Sequence, residues 1–252
     1  MNSTAVTQKW LEGRVASQRR WTERLFSLMV EADIPFEAGQ FAKLALEVDG
    51  EMLARPYSFV NAPGERPNEF YYVTLPEGPL TQRLCRLGAG DRIWVAPRPA
   101  GFLALSEVPE GENLWLISTG TGIGPFLSML RTEAPWKRFS QVVLVHAVRH
   151  AAELTHREVI GQLARARGEQ LRTLFFVSGE AAAGALPGRV PAAIEEGRLE
   201  NASDVVLSAE KSQVMICGNP EMVKDTITAL AKRGMKKHRR RDPGHITVEN
   251  YW

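Results

Sequence analysis

The stretch from Asn113 to Arg131 constrains this chain more than any other. An apolar run, Leu114-Trp115-Leu116-Ile117, gives way to Thr119-Gly120-Thr121-Gly122-Ile123-Gly124-Pro125 and then to Phe126-Leu127-Ser128-Met129-Leu130. The pattern predicts a strand, a tight glycine loop and a helix. Glycines at alternate positions let the backbone approach a bulky anion, and the N–H groups and dipole of the following helix favour negative charge there. Pro125 suits the first helical turn, where its missing N–H costs nothing. The loop reads as a cradle for the pyrophosphate of a dinucleotide. Its spacing departs from G-x-G-x-x-G, so a ligand-free strand-to-helix turn stays open on the loop alone.

The surroundings narrow the choice. A chain of 252 residues is long enough for two domains, and 44% hydrophobic with 24% charged residues is the composition of a soluble globular protein. The 31 basic and 29 acidic residues nearly cancel, which gives no support to a general nucleic-acid or membrane-surface role. The first residues lack an apolar core of signal-peptide length, and no run reaches the roughly 18 apolar residues of a spanning helix, so the expectation is a cytoplasmic protein. Cys85 and Cys217 are too few for a disulfide framework or a four-thiolate iron–sulfur cluster. The five histidines are dispersed, with no metal site and no Ser-His-Asp set in view. Redox chemistry here would have to run on a bound organic cofactor.

From Lys9 to about Leu105, short alternating apolar segments broken by Gly, Pro and Asn predict antiparallel strands and a small barrel. The expected strands are Trp10 to Val15, Leu25 to Val30, Phe36 to Leu46, Leu53 to Asn61, Phe70 to Leu75 and Asp91 to Val95. In Arg55-Pro56-Tyr57-Ser58, Arg55 offers a guanidinium fork, Tyr57 a flat aromatic face and Ser58 a hydroxyl. Extended backbone points Arg55 and Tyr57 to one face and Ser58 to the other, so one ligand meets all three only where the strand ends or bends. A surface arginine beside a half-buried tyrosine is the plain alternative. Gly78-Pro79-Leu80-Thr81 opens a helix expected to run through Leu84 and Leu87, with Thr81 as its N-cap. Cys85 reads as a small buried apolar residue.

Ser106 to Asn113, with Pro109, Gly111 and charged side chains, reads as a seam between domains spanning 1–106 and 107–252. Beyond it strand and helix alternate, predicting a parallel sheet covered on both faces, with ligands at the carboxyl ends of its strands. The expected strands are Leu114 to Ser118, Val142 to His146, Leu171 to Val177 and Val214 to Ile216. The expected helices include Pro125 to Arg131, Thr155 to Ala166, Pro191 to Glu196 and Glu221 to Arg233. Arg149 follows the second strand, where an NAD-selective site commonly places an acid, and an arginine there favours the extra phosphate of NADP. Cys217-Gly218-Asn219-Pro220 puts a thiol at a strand end, expected to face the cleft, with Asn219-Pro220 capping the next helix. A buried structural thiol is the alternative for Cys217, and a solvated surface charge is the alternative for Arg149. Lys236-Lys237-His238-Arg239-Arg240-Arg241 concentrates positive field on one patch of a nearly neutral chain, either as a solvated run or as a docking surface for an acidic electron carrier.

Arg55-Pro56-Tyr57-Ser58, the Thr119 to Pro125 loop and Cys217-Gly218-Asn219-Pro220, in that order, resemble the ferredoxin-NADP(+) reductase family. The terminal Tyr251-Trp252 makes the resemblance strongest to its bacterial flavodoxin/ferredoxin branch. The resemblance implies an FAD-binding antiparallel barrel followed by an NADP-binding α/β domain. It implies that Arg55, Tyr57 and Ser58 contact the FAD phosphate, stack on the isoalloxazine and hydrogen-bond near its reactive nitrogen. Val73 and Thr74 would lie along the flavin edge, while Gly78, Leu80, Thr81 and Thr119 complete the FAD set with Tyr251 on the second ring face and Trp252 on the adenine. NADP would be held by Thr119, Gly120, Thr121, Gly122, Gly124, Arg149, Arg189, Cys217, Gly218 and Asn219. Cys217 would pack against the nicotinamide, and Glu249 would relay protons beside the ring. Bacterial relatives tend to carry a further arginine where this chain has Gly179, so the strength of its NADP preference is in question.

The implied activity is hydride transfer from NADPH to FAD, then release of electrons singly to an acidic ferredoxin or flavodoxin, with Lys236 to Arg241 as a docking surface. Two alternatives remain: an NAD(P)H:flavin reductase or diaphorase holding flavin as a substrate, and a non-catalytic FAD-binding subunit that senses redox state.

Overall fold

The computed structural model describes residues 10–250; the expectations for Tyr251 and Trp252 fall outside the described residues. The period-two alternation of the first half becomes strands β1 (Leu11–Arg20), β2 (Leu25–Glu31), β3 (Phe41–Val48), β4 (Glu51–Ser58), β5 (Asn68–Val73) and β6 (Arg92–Val95), all paired antiparallel in the order β4-β3-β6-β1-β2-β5. An isolated antiparallel bridge between Phe59 and Phe70 joins the segment after β4 to β5 and closes the sheet on itself. Inward residues Leu28, Leu44, Phe59, Phe70 and Ile93 are fully buried, and the Phe36 and Phe59 rings stack with centroids 3.8 Å apart. The expected Phe36 to Leu46 strand starts only at Phe41. Gln40 N–H closes a turn onto the Glu37 carbonyl instead, and Gly39 sits so tightly against Leu103 that a Cβ would lie 1.9 Å from its carbonyl oxygen. The helix opened by Thr81 is one turn, α1 (Thr81–Leu84), and does not reach Leu87.

The second half builds strands β7 (Asn113–Thr119), β8 (Gln141–Val148), β9 (Leu171–Val177), β10 (Leu186–Pro187), β11 (Ser212–Gly218) and β12 (Ile246–Asn250), parallel in the order β10-β9-β8-β7-β11-β12. Helices α2 (Gly124–Leu130), α3 (Ala134–Arg138), α4 (Arg157–Arg167), α5 (Val190–Glu195), α6 (Arg198–Ser203) and α7 (Pro220–Ala231) cover it. α3, α6 and β10 have no counterpart in the sequence reading, since each is six residues or fewer and carries little periodicity. The terminal segment, read as a tail, is the edge strand β12, in register with β11 from Val214↔Ile246 to Gly218↔Asn250. Among the described residues no helix is long and apolar enough to cross a membrane.

Strand residues alternate between the two faces of this sheet. Trp115, Ile117, Val145 and Ile216 pack with Val190, Ala193, Leu199 and Leu230 of α5 to α7. Leu114, Leu116, Leu144 and Met215 face the other way, into Phe126, Leu127 and Leu130 of α2. That second cluster also takes in Leu25, Val60 and Tyr71 of the barrel, so one apolar core spans both sheets. Phe126 is fully buried within it. Phe126→Ala should lower stability by about 3–5 kcal/mol, the cost of an aromatic-sized cavity, read as a fall in the urea midpoint.

Candidate functional site

Two clefts lie where the sheets meet. The first, about 370 Å³, opens at the carboxyl ends of β7, β8 and β11 and the heads of α5 and α7. The second, about 260 Å³, runs over β4, β5 and the turn that enters α1. Val73 and Thr121 line both, so the clefts adjoin there.

The glycine loop is the floor of the first cleft, and its three glycines serve three different ends. Gly120 has φ of 53°, the left-handed region, and a Cβ on it would project into open space in the cleft. Gly122 is pressed against β11, where a Cβ would sit 2.5 Å from the Cys217 carbonyl oxygen, and Gly124 lies against Val60 of the barrel. Gly122 and Gly124 are buried and do not line the cleft, unlike Thr119, Gly120 and Thr121. Residues 120–123 form one 3₁₀ turn before α2 begins, with Pro125 in its first turn as expected. His146, on β8, holds this turn from below: its Nε2 lies 3.1 Å from the Gly120 carbonyl oxygen. Burial pushes its pKa down to about 4, so the ring is neutral and Nε2–H is the donor. The sequence offered no sign of this histidine beyond its place in an apolar strand.

Arg149 and Arg189 both line the first cleft, from the end of β8 and from the residue preceding α5. The carboxylate of Glu153 accepts the backbone N–H groups of Arg149 and His150 at 3.0 Å each, pinning the turn that carries Arg149; sequence reasoning passed Glu153 over. Gly179 is tied to the same turn. A Cβ there would lie 2.7 Å from the Arg149 carbonyl oxygen and 3.1 Å from its Cγ, so a larger residue would displace the arginine. Gly218 and Asn219 also line this cleft. Asn219 caps α7 as expected, its Oδ1 accepting from the N–H groups of Glu221 and Met222, while its own N–H donates to Thr119 Oγ1 at 3.0 Å.

Cys217 departs from expectation. It is fully buried and lines neither cleft. Alternation along β11 sends its side chain to the barrel-facing side with Met215, into the cluster that contains Tyr71 and Ile123.

In the second cleft Arg55, Tyr57 and Ser58 come together with Gly78, Leu80 and Thr81. Ser58 is the last residue of β4, which is how residues from opposite strand faces reach one cleft. The Tyr57 ring stands edge-on to Tyr72 at 5.9 Å, and burial raises its hydroxyl well above the ordinary tyrosine range, against the opposing charge of Arg55. Val73 lines the cleft, whereas Thr74 is buried beside it, bonded to the Arg24 carbonyl through its N–H and its hydroxyl. Thr81 is not the N-cap: Leu80 holds that position, and the Thr81 hydroxyl accepts from Leu75 N–H and donates to the Gly78 carbonyl, both at 3.1 Å. These bonds close the turn before α1. Asn250 lines the cleft as well, a contact that follows from β12 being a strand.

Glu249 enters the second cleft from β12, its carboxylate over Gly101 and beside the Phe41 ring. Burial raises its pKa to about 7. A carboxyl with a folded pKa raised from 4.5 contributes stability below its unfolded pKa and loses it as pH rises through about 7. Glu249→Gln should therefore gain on the parent as pH rises across that window, by on the order of 2 kcal/mol, read from urea unfolding at about pH 5 and about pH 8.

Comparison with known proteins agrees with this arrangement. Residues 116–228 match the model of the oxidoreductase NAD-binding domain. The chain is 49% identical over 245 residues to the flavodoxin/ferredoxin–NADP reductase of Escherichia coli, covering 96% of this chain and 99% of that protein. It is 33% identical over 245 residues to the ferredoxin–NADP reductase of Pseudomonas aeruginosa, covering 94% and 95%. The crystal structure of a ferredoxin NADP+ reductase from Neisseria gonorrhoeae with bound FAD and NADP superposes with a TM-score of 0.92 at 32% identity, covering 97% of this chain and 99% of that one. Adjoining clefts, one floored by a glycine turn and the other lined by Arg55-Pro56-Tyr57-Ser58, together with near full-length relatedness, place this chain in the flavodoxin/ferredoxin–NADP reductase family.

Proposed function

We propose that this chain is a flavodoxin/ferredoxin–NADP reductase that holds FAD in the second cleft and NADP(H) in the first. The carrying observation is that the clefts share Val73 and Thr121, so ligands filling both would meet edge to edge. The lining fits those ligands. A planar ring suits the flat face of Tyr57, a phosphate suits the Arg55 guanidinium, and Gly120 leaves open the space a Cβ would fill. We divide the chain into an FAD-binding domain, 1–106, and an NADP-binding domain, 107–252.

Bound FAD would supply the conversion of a two-electron hydride donor into two one-electron deliveries. The protein's own part is position and electrostatics. Tyr57 stacks on the ring, Ser58 donates to its edge, and the backbone of Val73, Gly78, Leu80 and Thr81 borders it. Arg149 and Arg189 clamp the extra phosphate of NADP, with Thr119, Gly120, Thr121, Gly218 and Asn219 beneath the rest. Glu249, half protonated near neutrality, holds a proton beside the ring. Cys217 supports the site from below rather than touching the nicotinamide. Tyr251 as the second ring-facing aromatic and Trp252 on the adenine rest on the family resemblance alone.

The partner is an acidic ferredoxin or flavodoxin. The basic run contributes Lys237, Arg239 and Arg241 to its docking, because the other members are engaged. Lys236 pairs with Asp242 at 2.5 Å, and Arg240 pairs with Glu107 at 2.8 and 2.5 Å while lying over the Phe102 ring.

The purified protein should stay yellow through gel filtration and be bleached by NADPH; an acidic carrier should then restore the colour faster in low salt than in high. Bound FAD that NADPH does not bleach would indicate a redox sensor instead, and colour lost on the column a flavin reductase. Arg149→Ala with Arg189→Ala should weaken NADPH binding by about 2–4 kcal/mol and leave NADH nearly unchanged, measured by titration of each nucleotide.

A further inference from the structure

A buried polar chain crosses the boundary between the two sheets at a place the proposed chemistry does not use. Glu69, on β5 of the barrel, accepts from Ser27 Oγ at 2.7 Å and lies 2.9 Å from Nε2 of His156, the residue that precedes α4. His156 Nδ1 lies 3.0 Å from Thr155 Oγ1, which donates to the Tyr71 hydroxyl, again on β5, at 2.9 Å. At the far end Trp21 Nε1 donates to Ser27 Oγ at 2.9 Å. The His156 ring is held between the Trp21 ring at 4.6 Å and the edge of Tyr71 at 4.8 Å. Both members of the central pair are nearly inaccessible, with side-chain exposures of 3% and 11%.

Burial by itself would raise the Glu69 carboxyl. The hydrogen bond and charge of His156, the Ser27 hydroxyl and the charge of Arg131 outweigh it and hold the carboxyl below its ordinary range. The Glu69 carboxylate thus finds its partners within the interface, where an unmatched charge would be costly. Among the described residues, His156 is also one of three non-glycine residues with positive φ, at 58°. Non-glycine residues take that conformation uncommonly, histidine more readily than most, and here it turns the chain into α4 with the ring inward on Glu69.

The strand that carries this chain also carries the clefts. Glu69, Tyr71 and Val73 alternate along one face of β5; Tyr71 lines the second cleft, and Val73 lines both. We propose that His156 is a positioning residue for hydride transfer, clamping the head of α4 to β5 through Glu69 and Tyr71 and so fixing how the two clefts meet at Val73. This rests on the reductase reading above. Apolar packing keeps the sheets together; the directional bonds of this chain set their register, and sub-ångström register is what transfer rates feel.

The test uses the FAD-loaded protein and three variants. His156→Phe keeps the ring contacts but removes both nitrogens. It should slow flavin bleaching at saturating NADPH by roughly tenfold or more, while the NADPH dissociation constant and flavin retention stay within about twofold of the parent. His156→Gln, which returns a donor toward Glu69, should recover most of that rate. Thr155→Val, nearly isosteric, should slow bleaching several-fold and raise amide exchange in residues 155–160 and 69–73 of the ligand-free protein. A saturating rate equal to the parent's in His156→Phe overturns the proposal, as does a joint loss of rate, affinity and flavin that Gln does not repair. Should the Phe variant not fold, a parental rate and exchange pattern in Thr155→Val overturns it. If NADPH fails to bleach the parent protein, the reductase reading falls, and the exchange measurement, which needs no turnover, still decides whether the clamp exists.

Discussion

One apolar cluster belongs to two sheets. Leu25, Val60 and Tyr71 from the barrel pack directly on α2 and on the near face of β7, β8 and β11, so neither half has a finished surface on that side. This shared packing turns two clefts into one site, because it brings the end of β5 against the glycine turn and leaves Val73 and Thr121 as common lining. An apolar interface is non-directional, however, and fixes separation better than register. Directional bonds across the same boundary supply what it lacks. Ser128 donates to the Asn61 carbonyl at 2.7 Å, Arg131 pairs with Glu65 at 3.0 Å, and Thr155 and His156 reach Tyr71 and Glu69.

The glycine turn shows how packing and binding divide the same short motif. A sequence pattern of alternate glycines invites one explanation for all of them, yet only Gly120 faces the cleft. Gly122 is small because the end of β11 leaves it no room, and Gly124 lies close against Val60 of the barrel, where a Cβ would be a tight fit. The turn is therefore wedged between the strand that ends in Cys217-Gly218 and the other half of the molecule, and a neutral His146 holds the Gly120 carbonyl from beneath. A cradle for an anion must keep its N–H groups aimed while the ligand comes and goes. Here the wedge holds the turn in place, while alternation along β11 turns the Cys217 thiol away from the cleft and into the core.

Much of this was readable beforehand, and the misses have physical reasons. The antiparallel barrel and the parallel sheet follow from a period of two giving way to strand and helix in alternation, and β9 was placed to the residue, whereas the order of strands within each sheet was not legible. Arg55, Tyr57, Ser58 and Arg149 stood out because their chemistry is unusual for their positions, and Arg189 through the family resemblance; all five line a cleft. Thr81 as N-cap failed because capping depends on backbone angles that a Thr in a turn does not announce. Cys217 failed because a strand end has two faces, and the sequence does not say which one the cleft occupies. The Glu69–His156 pair was invisible for a deeper reason: its members are 87 positions apart, and each alone looks like an ordinary surface residue.

Gly179 connects the two kinds of information. As a sequence feature it reads as a lost cation in a phosphate site, and it puts nucleotide preference in question. In the fold the residue at 179 faces the backbone of Arg149, with the Arg149 N–H and that of His150 already taken by Glu153. The turn has been pulled close to the end of β9, where Gly179 N–H donates to the Arg149 carbonyl at 2.7 Å. A side chain at 179 and this placement of Arg149 exclude one another. Position 179 thus bears on the backbone of the turn that carries Arg149, while the guanidinium itself stays exposed at the edge of the cleft. A missing side chain at 179 and a close-held turn at 149 are therefore one structural fact, and the two positions have to be weighed together.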